Sequence, residues 1–384
     1  MKPAAIIAGA ADTAVGRLEG SSCMGLHAAA ATAALADAGL QAGDIDGVIC
    51  AYSLAEPHLM LSSVFCEYFG LQPRYSVAVQ AGGASAAAMV MHAASLVASG
   101  GCRHVLCVCG DNRLTGMTRD RAVAALSEIG HPQFERPFGL GVPAAYALVA
   151  QRYMHEYGVT PDHLAATAVA HRRHAARHPK AQMREPLSMA AALNARLIAT
   201  PLRLFDCCQI SDGGAAVIVS AVETAPDLAG GRVGILGFGQ MNTHEHIVAA
   251  ASLTDFGCKQ SAAQAFAMAG LTPRDIDVAE IYDSFTITLL VELESIGFFG
   301  RGDAGPAVLA GAIDLGGALP CNTHGGLLSY AHSGAAGGMF HVVEAVRQLR
   351  GEAAGRQVKD AEFAFVHGDG GILSAHCSLI LGAH

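Results

Sequence analysis

A histidine in a glycine-rich stretch is the residue of this sequence best placed to do chemistry. His332 lies in CNTHGGLLSYAHSGAAGGMFHVVEAVRQL, residues 321–349, directly before a helix with good apolar periodicity. A helix start rich in small residues can approach another backbone closely, and its free N–H groups can hold an oxyanion. The stretch therefore predicts an imidazole that transfers protons beside a site where negative charge develops.

The composition excludes several function classes. The chain has 384 residues, 52% of them hydrophobic, and a net charge of −9 without any basic run, which argues against nucleic-acid binding. The eleven cysteines are scattered without the spacing of a disulfide scaffold, and we expect them to be reduced. No stretch reaches about 18 consecutive strongly apolar residues, and no signal peptide is evident. We therefore expect a cytoplasmic protein without a membrane span.

Three pairs of similar segments indicate an internal duplication. ADAGLQAGDID at 36–46 matches AMAGLTPRDID at 267–277 in seven of eleven positions, and each closes an Ala-rich helix with a glycine. GASAAAM at 83–89 corresponds to SGAAGGM at 333–339, and VCGD at 108–111 to VHGD at 366–369. Strands and helices alternate between these segments, which predicts two layered α/β units that pack as pseudo-twofold partners.

The duplication predicts the domain organisation. We expect an N-terminal half at residues 1–225 and a C-terminal half at residues 226–384. The stretch at about 112–200 has no counterpart in the second half and is rich in His, Arg and Pro, so we interpret it as a helical insertion that forms a lid. The loops 82–85 and 332–335 become equivalent, and both helix starts should face one region.

The chain resembles the thiolase superfamily over essentially its whole length, nearest to the sterol-carrier-protein type thiolases and thiolase-like proteins of the CoA-thioester aldolase type. The resemblance rests on DCCQISDGGAAVIVS at 206–220, AEIYDSFT at 279–286 and NTHGGLLSYAHSGAAGG at 322–338. It implies a duplicated five-layered α-β-α-β-α fold, here with the helical lid insertion. It also implies acyl-coenzyme A thioester substrates and a homodimer or dimer of dimers.

The sequence departs from the family pattern at the residues that matter for chemistry. Gly83 stands where a thiolase has its nucleophilic cysteine, so the usual acyl-cysteine intermediate cannot form. Ser85 is close by, but on the first turn of a helix we expect it to bond to the backbone. Tyr282 replaces an Asn or His of the family, and Ser284 stands at the acid/base cysteine of the sterol-carrier type. His332 is retained, and the family's Cys-x-Gly loop becomes HGDGG, which begins at His367.

The surviving groups suit an aldol or retro-aldol reaction on a CoA thioester, which needs no covalent intermediate. The resemblance implies Tyr282 as base or proton shuttle for the β-hydroxyl group, and His332 as donor to the thioester oxygen or its enolate. His367 and Ser284 are further candidates for catalysis. Backbone groups at Gly83 and Gly371 are candidates for the oxyanion site.

Other residues are candidates for binding or for packing. Arg172 and Arg173 could bind the phosphates of CoA, and a solvated basic face is the alternative. His171, His174 and His178 lie near one helical face without a carboxylate or cysteine at suitable spacing, so no metal site is predicted. We expect no tightly bound cofactor beyond CoA as part of the substrate. Cys207 and Cys208 are expected to pack in the core.

Two alternatives to the lyase stay open. One is a thiolase-type acyltransferase of the acetyl-CoA acetyltransferase class that uses a different nucleophile. The other is a non-catalytic acyl-CoA or lipid carrier, or a structural subunit of a hetero-oligomer. The aldolase-type relatives commonly pair with a small protein that has a zinc ribbon and an OB fold, so the resemblance also implies such a partner.

Overall fold

Strands and helices alternate along most of the chain. A computed structural model describes residues 3–229 and 232–383. The strands are β1 (Ala5–Asp12), β2 (Gly47–Ala51), β3 (Tyr75–Val79), β4 (His104–Asn112), β5 (Leu197–Ala199), β6 (Leu202–Arg203), β7 (Asp212–Ser220), β8 (Val233–Asn242), β9 (Val278–Ile281), β10 (Phe363–Gly370) and β11 (Ala375–Ala383). The helices are α1 (Cys23–Ala38), α2 (Leu61–Phe69), α3 (Ser85–Ala98), α4 (Arg119–Ser127), α5 (Val142–Tyr157), α6 (Pro161–Ala176), α7 (Met189–Leu193), α8 (Cys258–Ala269), α9 (Thr286–Ile296), α10 (Ala304–Leu309), α11 (Gly326–Ser329) and α12 (Ala336–Arg350).

The long strands form a mixed sheet to which both halves of the chain contribute equivalent sets. The order across it is β3-β2-β4-β7-β1-β8-β11-β10-β9. β1 and β8 pair antiparallel where the two sets meet, and β2 runs parallel to β4 as β9 does to β10. Cys321 bridges in parallel to Ala279 of β9, at the place that β3 takes in the first half. The predicted duplication is therefore confirmed in the strand order.

Helices cover the two half-sheets outside and fill the space between them. α1 packs on β1, β4 and β7, while its counterpart α8 packs on β8 and β11. The central helices α3 and α12 contact each other and strands of both halves. These packings produce the predicted five layers, and they bring the starts of α3 and α12 together in the middle of the molecule.

Two glycines show that the outer layers of both halves are built alike. A Cβ at Gly9 of β1 would lie 2.3 Å from the carbonyl oxygen of Ala34 in α1, and one at Gly237 of β8 would lie 2.2 Å from that of Ala265 in α8. Glycine at each point allows the helix to approach the strand closely. Both helices also end at a left-handed glycine, Gly39 and Gly270, as the sequence predicts.

The stretch at 112–200 is mainly helical and contains α4 to α7. α5 and α6 pack on α9 of the second half, and α6 also packs on α10 and α11. We propose that the halves divide at 225/226, in the connection between β7 and β8. Within the described ranges, every helix is too short or too polar to cross a lipid bilayer.

Candidate active site

Tyr282 and His332 meet near the starts of the two central helices. Tyr282 follows β9, and its N–H donates to the carbonyl oxygen of His367 at 3.0 Å. Ser211 fixes the loop of His332, because its Oγ accepts from the His332 N–H at 3.0 Å and its own N–H donates to the His332 carbonyl at 3.1 Å. The Tyr282 hydroxyl lies 2.9 Å from His332 Nε2. The structure thus joins in one hydrogen bond the two residues expected to move protons.

The ring of Tyr282 fills the space in front of Gly83. A Cβ built at Gly83 would lie 2.1 Å from Tyr282 Cζ, 2.4 Å from its hydroxyl oxygen and 2.3 Å from the backbone oxygen of Asp369. Contacts this short cannot be relieved without moving the ring and the backbone of β10. A side chain at residue 83, including a nucleophilic cysteine, is therefore incompatible with Tyr282 in this position.

Burial keeps both members of the pair neutral at neutral pH. It raises the pKa of Tyr282 well above the usual value of a phenol. Burial and, to a smaller extent, the nearby charge of Arg113 lower the pKa of His332 to about 3. A neutral imidazole beside a neutral phenol can accept the phenolic proton without any prior ionisation.

Cys208 forms part of the site, and the prediction that it packs in the core is wrong. Its Sγ lies 3.2 Å from His332 Nδ1, and its N–H donates to the carbonyl of Ser284 at 2.9 Å. Cys207 and Cys208 belong to an irregular segment before β7 that lines the cavity, which no periodicity in the sequence revealed. Burial raises the pKa of the Cys208 thiol to about 12, so it is a thiol and not a thiolate.

Arg113 is a buried cation at the site that the sequence analysis did not identify. Arg113 is 6% exposed and lines the cavity. Its charge opposes protonation of His332. Among the described residues, its Nε has no hydrogen-bond partner. Arg113 directly follows β4, and the carboxyl ends of strands are common places for sites in α/β proteins. That position was the signal available in the sequence.

A cavity of about 280 Å³ lies beside these groups and is lined by Gly83, Tyr282 and His332. It adjoins a larger cleft of about 930 Å³, and the two share Tyr52, Leu54, Gly82, Ile129 and Gly371 in their walls. The cleft gives a long substrate room to extend beyond the reacting carbon atoms.

The insertion supplies one wall of the cavity, as expected for a lid. Ile129, Val142, Pro143 and Tyr146 all belong to it and line the cavity. Ile129 also lines the cleft, next to Glu128. These walls are mainly apolar.

Tyr146 and Asp369 form a second pair in the wall that the sequence did not reveal. The Tyr146 hydroxyl donates to Asp369 Oδ2 at 2.9 Å, and its ring stacks on Phe285 with the ring centroids 4.3 Å apart. Tyr146 lies inside a helix of ordinary apolar pattern, and no local feature marks it as different from a core residue. The pair holds the lid insertion against β10.

Ser284 and Gly371 lie at the cavity as expected, and their catalytic roles stay predictions. Ser284 Oγ lies 3.5 Å from the hydroxyl of Thr288. Gly371 has a φ of +68°, which glycine adopts without strain. Ser85 bonds to the backbone as predicted, since its Oγ accepts from the Ala81 N–H at 2.9 Å and donates to the Gly82 carbonyl at 2.7 Å.

The structure does not bring His367 to the cavity. Asp369 on the same face of β10 lines the cavity, but His367 lies one strand repeat deeper and is 1% exposed. Its Nδ1 is 2.9 Å from Ser378 Oγ and its Nε2 is 3.2 Å from His376 Nδ1. Both ring nitrogens thus face other buried side chains, which contradicts a direct catalytic role.

Arg172 and Arg173 also lie away from the cavity and the cleft. Arg172 Nε donates to Ser329 Oγ at 3.1 Å, and one of its terminal nitrogens donates to the carbonyl of Glu185 at 3.1 Å. Arg173 donates to both carboxylate oxygens of Asp314 at 2.7 and 2.8 Å. Both guanidinium groups thus bond to protein partners, and neither lines the cavity or the cleft, which argues against the predicted phosphate-binding role.

Comparison with protein families identifies both halves of the chain. Residues 5–191 match the family described as thiolase, N-terminal domain, and residues 239–383 match thiolase C-terminal domain-like. The two matches follow each other along the chain, in the order that the duplicated fold predicts.

Three known proteins illustrate the range of similar chains. The chain is 36% identical to a 17-hydroxy-3-oxo-4-pregnene-20-carboxyl-CoA lyase of Mycobacterium tuberculosis, over 98% of this chain and 99% of the relative. It is 32% identical to an acetyl-CoA acetyltransferase of Methanothermobacter thermautotrophicus, over 98% and 99%. The solved structure of an Ltp2-ChsH2(DUF35) aldolase superposes with a TM-score of 0.88 and 34% identity, over 100% of this chain and 99% of that one.

Proposed function

This chain belongs to the thiolase family, and from that premise we propose that it is a lyase that splits the Cα–Cβ bond of a β-hydroxyacyl-CoA without a covalent acyl-enzyme. The position of the Tyr282 ring in front of Gly83 carries this proposal, because it replaces a nucleophile with a proton-transfer group. Retro-aldol cleavage needs proton transfer and enolate stabilisation but no nucleophile. The similarity to a carboxyl-CoA lyase supports the same reaction class.

Tyr282 and His332 act as one proton relay in this reaction. The Tyr282 oxygen accepts the proton of the substrate β-hydroxyl group while its own proton passes to His332 Nε2, 2.9 Å away. The Cα–Cβ bond then breaks, the β-carbon becomes a ketone or aldehyde, and the electron pair passes into the thioester enolate. The proton returns to Cα and completes the shorter acyl-CoA.

Arg113 takes the role of stabilising the enolate, which the sequence analysis gave to His332. His332 faces Tyr282 with Nε2 and Cys208 with Nδ1, so neither nitrogen is left for the thioester oxygen. Arg113 offers a fixed positive charge and an unpartnered Nε within the described residues. A positive charge in a site shielded from water is worth more to a developing anion than one in solvent. Backbone groups at Gly83 and Gly371 add to this stabilisation.

The apolar walls favour a bulky hydrocarbon group on the carbonyl product. Ile129, Val142, Pro143 and Phe285 line the cavity beside the relay. A pocket with few polar groups binds a ring system of the steroid type through burial of apolar surface. We therefore place the hydrocarbon part in the cavity and the CoA part in the adjoining cleft.

An acyltransferase is the second candidate, and the contact between Cys208 and His332 favours it. A cysteine within 3.2 Å of an imidazole is an arrangement that activates thiols as nucleophiles. Burial raises the pKa of this thiol to about 12, however, and the same imidazole serves Tyr282. We therefore rank the acyltransferase below the lyase. In the lyase, Cys208 orients His332.

The assay that separates these functions uses the full chain with β-hydroxyacyl-CoA substrates whose β-carbon carries a ring system. We expect release of a shorter acyl-CoA and a ketone or aldehyde, detected by liquid chromatography and mass spectrometry. Cys208→Ser should keep most of this activity, and intact-mass spectra should show no acyl adduct. An acyl adduct that disappears in Cys208→Ser would instead establish the acyltransferase, and CoA binding without turnover would establish a carrier.

The assembly is also part of the proposal. The solved aldolase named above combines Ltp2 with a DUF35 component, and we propose a partner of this kind, a small zinc-ribbon and OB-fold protein, for this chain. We further propose a homodimer or dimer of dimers in the cytoplasm. The assay therefore includes the chain alone and with such a partner.

A further inference from the structure

A cluster of histidine and carboxylate side chains lies behind the cavity wall on one face of a hairpin. In the antiparallel pair β10 and β11, His367 stands opposite Ser378, and Asp369 stands opposite His376. Residues two apart on a strand share a face with their cross-strand partners, so these four side chains point the same way. Glu292 of α9 lies on that face, and its Oε1 is 3.5 Å from His367 Nε2. The charged members of the cluster are at most 1% exposed.

Hydrogen bonds on the outer ring nitrogens orient both histidines of the cluster, His367 and His376. The Nε2 of His376 donates to the carbonyl of Leu373 at 3.0 Å, so Nδ1 is unprotonated and faces His367 Nε2. His367 Nδ1 bonds to Ser378 Oγ at 2.9 Å, which turns Nε2 inward. The two inward nitrogens are 3.2 Å apart. Histidines that bind metals are held in this way, with the second nitrogen on a carbonyl or hydroxyl group.

The carboxyl groups of the cluster lack compensation. Neither oxygen of Glu292 has a hydrogen-bond partner in the described part of the chain, and neither has Asp369 Oδ1. Within residues 3–229 and 232–383, the ion pairs of both carboxyl groups are with histidines and not with Lys or Arg. Burying two such groups without a cation is costly, and burial raises the pKa of each carboxyl group. One divalent cation would neutralise both.

The two histidines share one hydrogen bond, but the distances from the carboxylates fit ligands around one ion better than hydrogen bonds. Glu292 Oε1 is 3.9 Å from His376 Nδ1, and Asp369 Oδ1 is 4.0 Å from the same nitrogen, which is too long for a hydrogen bond. Ligands about 2.0–2.2 Å from a tetrahedral ion lie roughly 3.3–3.6 Å apart. The separations of 3.2 to 3.9 Å among the ligand atoms of Glu292, His367 and His376 approach this spacing.

We propose that Glu292, His367 and His376 form a buried binding site for a divalent transition-metal ion of the Zn²⁺ class. Two imidazoles and a carboxylate suit Zn²⁺, whereas Mg²⁺ and Ca²⁺ prefer oxygen ligands alone. The site lies directly behind the cavity wall, because Asp369, 4.0 Å from His376 Nδ1, accepts from the Tyr146 hydroxyl with its Oδ2. The site stands independently of the proposed reaction.

A second buried cluster shows what a compensated carboxylate looks like in the same protein. Glu280 accepts from the N–H and hydroxyl of Thr323 at 3.0 Å each, and its Oε2 lies 3.0 Å from His324 Nδ1 and 3.3 Å from His341 Nδ1. Burial opposes ionisation of Glu280, but His324 and His341 together outweigh it and lower the pKa of the carboxyl group to about 2. The ligand atoms of Glu280, His324 and His341 also lie close together, but this carboxylate has hydrogen-bond partners without a metal, and Glu280→Gln is therefore the matched control.

The test measures bound metal directly on the full chain after removal of any affinity tag. Protein treated with a chelator is incubated with Zn²⁺, passed through gel filtration and analysed by plasma mass spectrometry. We expect about one Zn²⁺ per chain for the parent protein and for Glu280→Gln, and a loss of most bound Zn²⁺ in Glu292→Gln and His376→Gln. Zn²⁺ should also raise the Tm of the parent protein but not that of Glu292→Gln.

Two results would overturn the site. One is a parent protein that retains no stoichiometric Zn²⁺ and gives no visible ligand-field absorption when loaded with Co²⁺. The other is retention of Zn²⁺ by Glu292→Gln and His376→Gln at the parent level. Should His376→Gln fail to fold, the isosteric Glu292→Gln and the Co²⁺ spectrum of the parent protein decide the question.

Discussion

The two halves of the molecule place different residues at equivalent helix starts. In the first half, Gly83 precedes α3 and has no room for a side chain, because the Tyr282 ring stands in front of it. In the second half, the matching position is Ser333, a fully buried residue whose side chain is accommodated, and His332 directly before it carries the base. A duplicated scaffold thus gives two similar helix starts, and individual residues decide which chemistry each one supports.

The first prediction concerns Gly83→Ala, which adds one methyl group at the helix start that has no room for a side chain. In Gly83→Ala, the new Cβ must displace the Tyr282 ring or the backbone of Asp369. We expect a loss of about 100-fold in kcat/KM, because misplacing a reacting group by about 1 Å has that effect, and a loss of roughly 1–3 kcal/mol in the free energy of unfolding. Turnover assays and urea denaturation measure the two effects.

The equivalent position of the other half supplies the control. Ser333→Ala removes a buried hydroxyl group for which the described residues offer no partner, so we expect a change in unfolding free energy below about 1 kcal/mol. Equal stability and activity of Gly83→Ala and the parent protein would show that the ring does not occupy the space in front of residue 83.

A smaller effect concerns the pH dependence of stability. Burial lowers the pKa of His332 to about 3 in the folded protein, against about 6.5 in the unfolded chain. Below about pH 6.5 the unfolded chain binds a proton that the folded protein does not, so the free energy of unfolding falls as the pH falls toward 3. Each such histidine contributes about 1.4 kcal/mol per pH unit in this window.

In His332→Gln, the unfolding free energy should therefore depend less steeply on pH. The slope should fall by an amount that corresponds to nearly one bound proton. Urea denaturation at a series of pH values from 7 to about 4.5 measures the slope. An unaltered slope in His332→Gln would mean that the imidazole is already protonated or is accessible to water in the folded protein.

The sequence predicted the fold, the central pair and the cavity positions of Gly83, Ser284 and Gly371, but it did not reveal Arg113, Cys208 and Tyr146 at the site. The duplication could be predicted because matched segments such as 36–46 and 267–277 keep their helix-ending glycines. Tyr282 and His332 could be predicted as site residues because each lies in a motif of the thiolase family. Arg113 and Cys208 belong to irregular segments, and their approach to His332 depends on tertiary packing that no local pattern encodes.

The same reason explains the errors. His367 was expected at the cavity because it lies in a family motif, yet the pleat of β10 places it one repeat below Asp369. The proposed metal cluster escaped the sequence analysis because its ligands combine a hairpin with a helix that is distant in sequence. Arg172, next to Arg173 in the insertion, was expected to be free for phosphates, whereas the fold supplies Ser329 and Glu185 as its partners.

The central claim is that the phenol and the imidazole move one proton as a unit, and a double-mutant cycle tests it most directly. The kcat/KM for cleavage of a β-hydroxyacyl-CoA is measured for the parent protein, Tyr282→Phe, His332→Gln and the double variant. We predict that each single change lowers kcat/KM by about 10²–10⁴ and that the double variant loses little more than either one. Losses that multiply in the double variant, or a single variant that stays fully active, would contradict the relay.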